Sequence, residues 1–136
     1  MKKIFKNQIA LALAGILAGT SAVAGTLVIN GDTSDPAPKA AFQAVIDGFE
    51  AENPDVDVVY NLFDHEGYKA AIRNFLSADA PDIAFWYAGN RMAPFVEAGL
   101  FAPIDDVWAD QGLYSLMASS APGMTMDGQK WGIPYT

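Results

Sequence analysis

The sequence has 136 residues, with 16 Asp and Glu against 8 Lys and Arg, one His, no Cys and a net charge of −8. That length suits one domain at most, and the lack of Cys excludes disulfide scaffolds, thiolate zinc sites, iron–sulfur clusters and a Cys nucleophile. The acidic balance, with no basic cluster in the body of the chain, argues against nucleic acid as a partner, while 51% hydrophobic residues and only 18% charged ones argue against intrinsic disorder.

The first segment reads as an address. Lys2, Lys3 and Lys6 precede an apolar run, Ile9 to Ala18, and small residues ending in Ala22-Val23-Ala24. A positive end, a short greasy core and an A-x-A site make a secretory signal peptide over residues 1–24. A membrane anchor would need about 20 apolar residues, and this stretch is much shorter. Cleavage after Ala24 removes three lysines and no acid, so the exported part, 25–136, is more acidic still. No Cys follows the signal to carry a lipid, and the expected compartment is therefore the periplasm.

Thr26 to Ile29 is β-rich and stops at the turn-prone Asn30-Gly31-Asp32. Asp35-Pro36 reads as a helix start, and Phe42, Val45, Ile46 and Phe49 follow as one apolar stripe until Asn53-Pro54. Val56 to Tyr60 is a second strand. Asp64 can cap a second helix with the stripe Tyr68, Ile72, Phe75 and Leu76, which Asp79-Ala80-Pro81 ends. Ile83 to Tyr87 is a third strand, apolar on both sides as burial beneath helices demands. A short helix around Met92, Phe95 and Val96 follows, with Pro94 in its first turn. Val107 to Met117 looks helical, and Asp127-Gly128 marks a tight hairpin between 124–126 and 129–133. The alternation of strand and helix predicts an α/β fold with a parallel-rich sheet and right-handed crossovers.

In an open parallel sheet ligands collect beyond the carboxyl ends of the strands. The first strand brings Asn30, Asp32 and Thr33 there. The third brings Trp86 and Tyr87, then Asn90 and Arg91, and the last run brings Trp131, Tyr135 and Thr136. Flat aromatic faces with a rim of carboxylate, guanidinium, amide and hydroxyl groups match a sugar, which has an apolar C–H face and hydroxyls that donate and accept. The same aromatics at the end of a buried strand also suit a core, and Asp32 also suits a turn.

Other chemistries find less. His65 is the single histidine and cannot make a His-based zinc site; it reads as an exposed first-turn residue. Asp105, Asp106 and Asp110 lack the glycine and terminal Glu of an EF-hand loop and read as helix N-terminal charges. Ser115, Ser119 and Ser120 have no nucleophile elbow around them, and the phosphate-binding glycine motifs are missing. Asp32, Glu66, Asp82 and Glu97 could be nominated for a glycosidase, but their spacing selects no pair. Neither an enzyme, a metal site nor a cofactor is expected.

Leu27-Val-Ile-Asn-Gly-Asp32, Ala80-Pro-Asp-Ile-Ala-Phe-Trp86, Asn90-Arg91, Glu97-Ala-Gly-Leu100 and Asp127-Gly-Gln-Lys-Trp-Gly-Ile-Pro-Tyr135 resemble the extracellular solute-binding proteins of ABC sugar importers, the maltose-binding branch most of all. The resemblance implies a two-lobed receptor of the periplasmic-binding-protein type II fold. It closes around a carbohydrate and delivers it to a membrane permease and its ATPase, working as a monomer when full length. It further implies that 25–136 is the N-terminal part of the first lobe, incomplete, with strands missing, apolar surface exposed, and weak folding and binding by itself. By the same resemblance Asp32 matches an Asp that hydrogen-bonds sugar hydroxyls, while Trp86 and Arg91 match a Trp and an Arg of the sugar site. Thr33 stands where that branch has Lys and Asn90 where it has Asp. One extra residue before Asn90 shifts the register of Tyr87 to Gly89. Within the same fold the ligand could be a polyamine, which Arg91 would repel, or a ferric ion, for which Tyr87, Tyr135 and His65 are a sparse set. A secreted carbohydrate-active enzyme and an adhesive or structural protein are the alternatives from other classes.

Overall fold

The computed structural model describes residues 25–135, so the expected signal segment 1–24 and Thr136 lie outside the described residues. Strand β1 (Gly25–Gly31) is central in a three-stranded sheet, flanked by β2 (Val56–Leu62) and β3 (Ile83–Ala84) in the order β2-β1-β3. Both pairings are parallel, Gly25 to Gly31 matching Val56 to Leu62 and Ile29-Asn30 matching Ile83-Ala84. Helices α1 (Pro36–Glu52) and α2 (His65–Ala78) make the crossovers.

The helix ends follow the sequence with one difference. Asp64 accepts a hydrogen bond from the Gly67 backbone N–H at 2.8 Å and caps α2. Asp35 occupies the N-cap position of α1 with Pro36 next, but its side chain makes no capping bond. The stripe of α2 packs as expected: Tyr68, Ile72 and Leu76 are buried with Phe95 in one cluster, and Phe63, Phe75 and Trp86 pack against it. That of α1 does not, since Ile46 is buried whereas Val45 is 64% exposed and Phe49 40%.

Beyond the expected Tyr60, β2 runs on to Leu62 because β1 stays alongside to Gly31. The expected third strand, Ile83 to Tyr87, is cut to two residues, and Ile83 is exposed. After the Phe85 N–H donates to the Asn30 carbonyl at 2.9 Å the ladder has no further rung, because β1 ends one residue later. Asp82 fixes the other end of this pairing: its carboxylate accepts the Val28 N–H at 2.8 Å and its own N–H donates to the Val28 carbonyl at 2.9 Å.

A 3₁₀ turn over Gly89–Arg91 leads into α3 (Ala93–Glu97). The helix expected over Val107 to Met117 is two pieces, α4 (Asp105–Asp110) and α5 (Leu113–Leu116). Gly112 between them is left-handed (φ 65°), a conformation that ends a helix. The hairpin pairs β4 (Thr125–Met126) with β5 (Gln129–Lys130), which stops short of the expected Ile133. Its turn residues Asp127 (φ 52°) and Gly128 (φ 80°) are both left-handed, as a two-residue hairpin with right-twisted strands requires. A second core gathers here. Trp108 is fully buried and donates its indole N–H to the Gly132 carbonyl at 2.9 Å. Lys130 Nζ lies 5.3 Å from the ring centres of both Trp108 and Tyr114 while donating to Thr125 Oγ1.

Candidate functional site

The three parallel strands end on the same side, and each hands over a polar or aromatic side chain within a few residues: Asp32 after β1, His65 after β2, Trp86 and Tyr87 after β3. The side chains meet. His65 Nδ1 lies 2.6 Å from Asp32 Oδ2, and His65 Nε2 lies 2.9 Å from the Tyr87 hydroxyl. Arg91 stacks its guanidinium 4.3 Å from the centre of the Tyr87 ring, a cation–π contact that fixes the ring while leaving the hydroxyl edge available. Trp86 stands behind Tyr87, the rings 5.4 Å apart in an edge-to-face arrangement. Its indole N–H donates to the Arg91 carbonyl at 2.8 Å, which ties the loop after β3 into a closed turn.

This platform is held from beneath by a polar layer. Asn30 is buried, and its side-chain carbonyl accepts from Asn61, its register partner on β2, at 2.9 Å. The Asn30 backbone carbonyl accepts from the Tyr68 hydroxyl at 3.0 Å as well as from Phe85. Burial, and next the nearby Asp32 charge, push the Tyr68 phenol well above its ordinary pKa, so it stays a neutral donor. Gly31 is needed at the end of β1, since a Cβ there would come within 2.9 Å of the Tyr60 hydroxyl and 3.0 Å of the Phe85 ring.

Of the residues nominated from sequence, Asp32, Trp86, Tyr87 and Arg91 are brought together. Asn90 is exposed on the 3₁₀ turn beside them. Thr33 lies beside the Tyr60 hydroxyl, whose phenol burial pushes upward. Tyr135 joins a separate aromatic group, its ring 4.9 Å from Phe85 and 5.4 Å from Phe42. Trp131 belongs to the hairpin, donating to the Met126 carbonyl at 3.0 Å. Asn30, delivered by the same strand end, is a support rather than a surface group. Trp86 combines both readings given to it, since it packs on the core cluster and also borders the site.

His65 is the residue that sequence reasoning missed. It is indeed in the first turn of α2 and half exposed, but its ring joins the ends of β1 and β3. The signal was available, because His65 lies three residues past the carboxyl end of β2, on the same edge where Asp32 follows β1. Beside it, Lys69 holds the exposed Glu66 below the usual carboxylate range, and Glu66 Oε1 is 3.9 Å from His65 Nε2. Among the described residues no three His, Asp or Glu side chains converge as metal ligands, and no helix is long and apolar enough to cross a membrane. Asp82, one of the four carboxylates whose spacing selected no pair, is engaged on the β1 backbone.

The arrangement forms an open surface of carboxylate, imidazole, phenol and guanidinium groups at the carboxyl edge of a parallel sheet. The sequence profile described as "Bacterial extracellular solute-binding protein" matches residues 33–135. The chain belongs to this family. Solved structures with the same fold include the bacterial solute receptor AcbH, described as having an exclusive preference for β-D-galactopyranose: 30% identity, TM-score 0.67, covering 79% of this chain and 27% of that one. A protein from a study of xylan utilisation by Caldanaerobius polysaccharolyticus shares 32% identity with TM-score 0.73, over 80% of this chain and 28% of its own. The GacH receptor of Streptomyces glaucescens, solved unliganded and with acarbose, shares 28% identity with TM-score 0.63, over 83% and 29%. This chain thus spans a little over a quarter of the length of each of these structures. No curated protein matches it.

Proposed function

We propose that this chain supplies one half of the ligand site of a periplasmic receptor for a carbohydrate, the substrate-binding component of an ABC importer. The observation that carries the reading is the meeting of Asp32, His65 and Tyr87 beside Trp86 and Arg91 at the ends of three parallel strands. Carboxylate and phenol oxygens suit sugar hydroxyls, and aromatic faces suit its C–H face. The galactopyranose and acarbose receptors among its structural relatives support the same ligand class. Arg91 places a positive charge at the site, which opposes a polyamine or a metal cation as ligand.

An open half-site gains affinity when a second lobe closes over it, because closure excludes water and strengthens each polar contact. The ligand then shifts the open–closed equilibrium by its preference for the closed form, and a permease with its ATPase reads that form. The leader at 1–24 would carry the protein to the periplasm, where the full-length receptor works as a monomer.

Isothermal titration of the full-length protein against mono- and oligosaccharides tests the reading. Saturable binding with a negative heat-capacity change, and no reducing ends released on incubation, is the expected outcome. Product formation would establish an enzyme instead, and binding of spermidine or ferric ion without any sugar would move the ligand class. Trp86→Ala should weaken binding by about 1–3 kcal/mol, the scale of a lost aromatic contact in a site. Unchanged affinity would reduce Trp86 to a core residue.

A further inference from the structure

The Asp32–His65–Tyr87 chain has a direction that its chemistry fixes. An ionised carboxylate only accepts, so the 2.6 Å contact requires the proton on His65 Nδ1. In the neutral ring Nε2 is then an acceptor, and the 2.9 Å contact with Tyr87 must use the phenol's own proton. The remaining capacity of both end groups is therefore of one kind: Asp32 Oδ1 and the free lone pair of Tyr87 Oη accept, and neither donates.

We infer that His65 is a specificity-determining residue, which sets the Asp32–Tyr87 edge of the site as acceptor-only and so selects sugars presenting two hydroxyl donors there. This rests on the carbohydrate reading above. Because Tyr87 is clamped by Arg91 on its face and by His65 at its tip, its proton is not free to turn toward a ligand. An ether or fluorine at the matching sugar position leaves the Tyr87 lone pair facing another acceptor.

Two measurements on the full-length protein decide the matter. The first needs no ligand: ¹⁵N NMR of the imidazole, assigned by its loss in His65→Asn, should show the Nδ1–H tautomer, and the opposite or an averaged tautomer would overturn the inference. The second compares D-galactose, xylobiose and maltose with their monodeoxyfluoro derivatives, in which fluorine donates nothing. For the sugar that binds, two positions should each lose roughly fivefold to tenfold or more in affinity, the scale of a lost hydrogen bond. One of the two losses should vanish in His65→Asn, whose amide still holds Asp32 but leaves Tyr87 free to donate. Identical losses in the wild type and His65→Asn would sink the inference. Binding by no sugar of the wider mono- and oligosaccharide panel would instead remove the carbohydrate reading, and the selectivity with it, leaving the tautomer to be judged by NMR alone.

Discussion

At the scale of single residues, Tyr68 ties the stability of the fold to the floor of the site. Its ring is buried on the inner face of α2, and its hydroxyl donates to the Asn30 carbonyl. A phenol with a raised folded-state pKa binds its proton more tightly in the fold than in the unfolded chain. Its contribution is fully present below the ordinary value of 10.0 and is lost as pH rises above it. Urea melts of the full-length protein should therefore show stability falling steeply above about pH 10. Tyr68→Phe should cost about 1 kcal/mol at neutral pH, since the Asn30 carbonyl keeps its Phe85 partner. The same variant should make the alkaline fall shallower, with Tyr60 supplying what remains because its phenol is raised in the same direction. An equally steep fall in Tyr68→Phe would assign the alkaline sensitivity elsewhere. Both roles were half visible in the sequence: the helical stripe marked Tyr68 as core, but the Asn30 carbonyl it serves is 38 residues away.

At the scale of elements, α2 links a local rule to the site. Asp64 caps the helix, and His65 is the first helical residue. The cap thus sets the direction from which His65 reaches Asp32 and Tyr87. Asp64→Ala should lower stability by about 1 kcal/mol, the usual cost of losing an N-cap, and should weaken sugar binding through His65. Asp64→Ser, which caps without charge, should restore both; restoration of stability without affinity would mean that the Asp64 charge itself acts on the site. The other elements show where local rules run out. Gly112 breaks the α4–α5 segment because its left-handed conformation outweighs an apolar pattern that continues past it. Strand β3 is short despite an apolar run because a strand lasts only as long as its partner.

At the scale of the molecule, the described residues form two separate cores. One gathers on Tyr68, Ile72, Leu76 and Phe95, the other on Trp108. Outside them apolar side chains stay in water: Val45 and Phe49 on α1, and Val59 on the β2 edge. Such exposed groups on one helix and a bare strand edge favour association. Expressed as the 136-residue chain, the protein should sediment as concentration-dependent oligomers, and Val45→Lys with Phe49→Lys should shift it toward monomer. A monodisperse wild-type chain with a sharp thermal transition would contradict this.

Hydrophobic period, caps and turn dipeptides are encoded within a few residues, so they determined the order of elements, the parallel α/β class, the Asp127-Gly128 hairpin and the delivery of Asp32, Trp86 and Tyr87 to strand ends. The quoted motifs carried the family in the same way. What the tertiary structure alone decided depends on distant partners. The 2.6 Å and 2.9 Å contacts of His65 span 33 and 22 residues of chain. They exist because the sheet places β1 between β2 and β3 and stops all three at one edge. That same register buries Asn30 and ends β3 at Ala84, while Tyr135 packs on Phe85 and Phe42 rather than with the group it was expected to join. Local propensity says what an element is, whereas strand order and register say which side chains meet, and the site is made of those meetings.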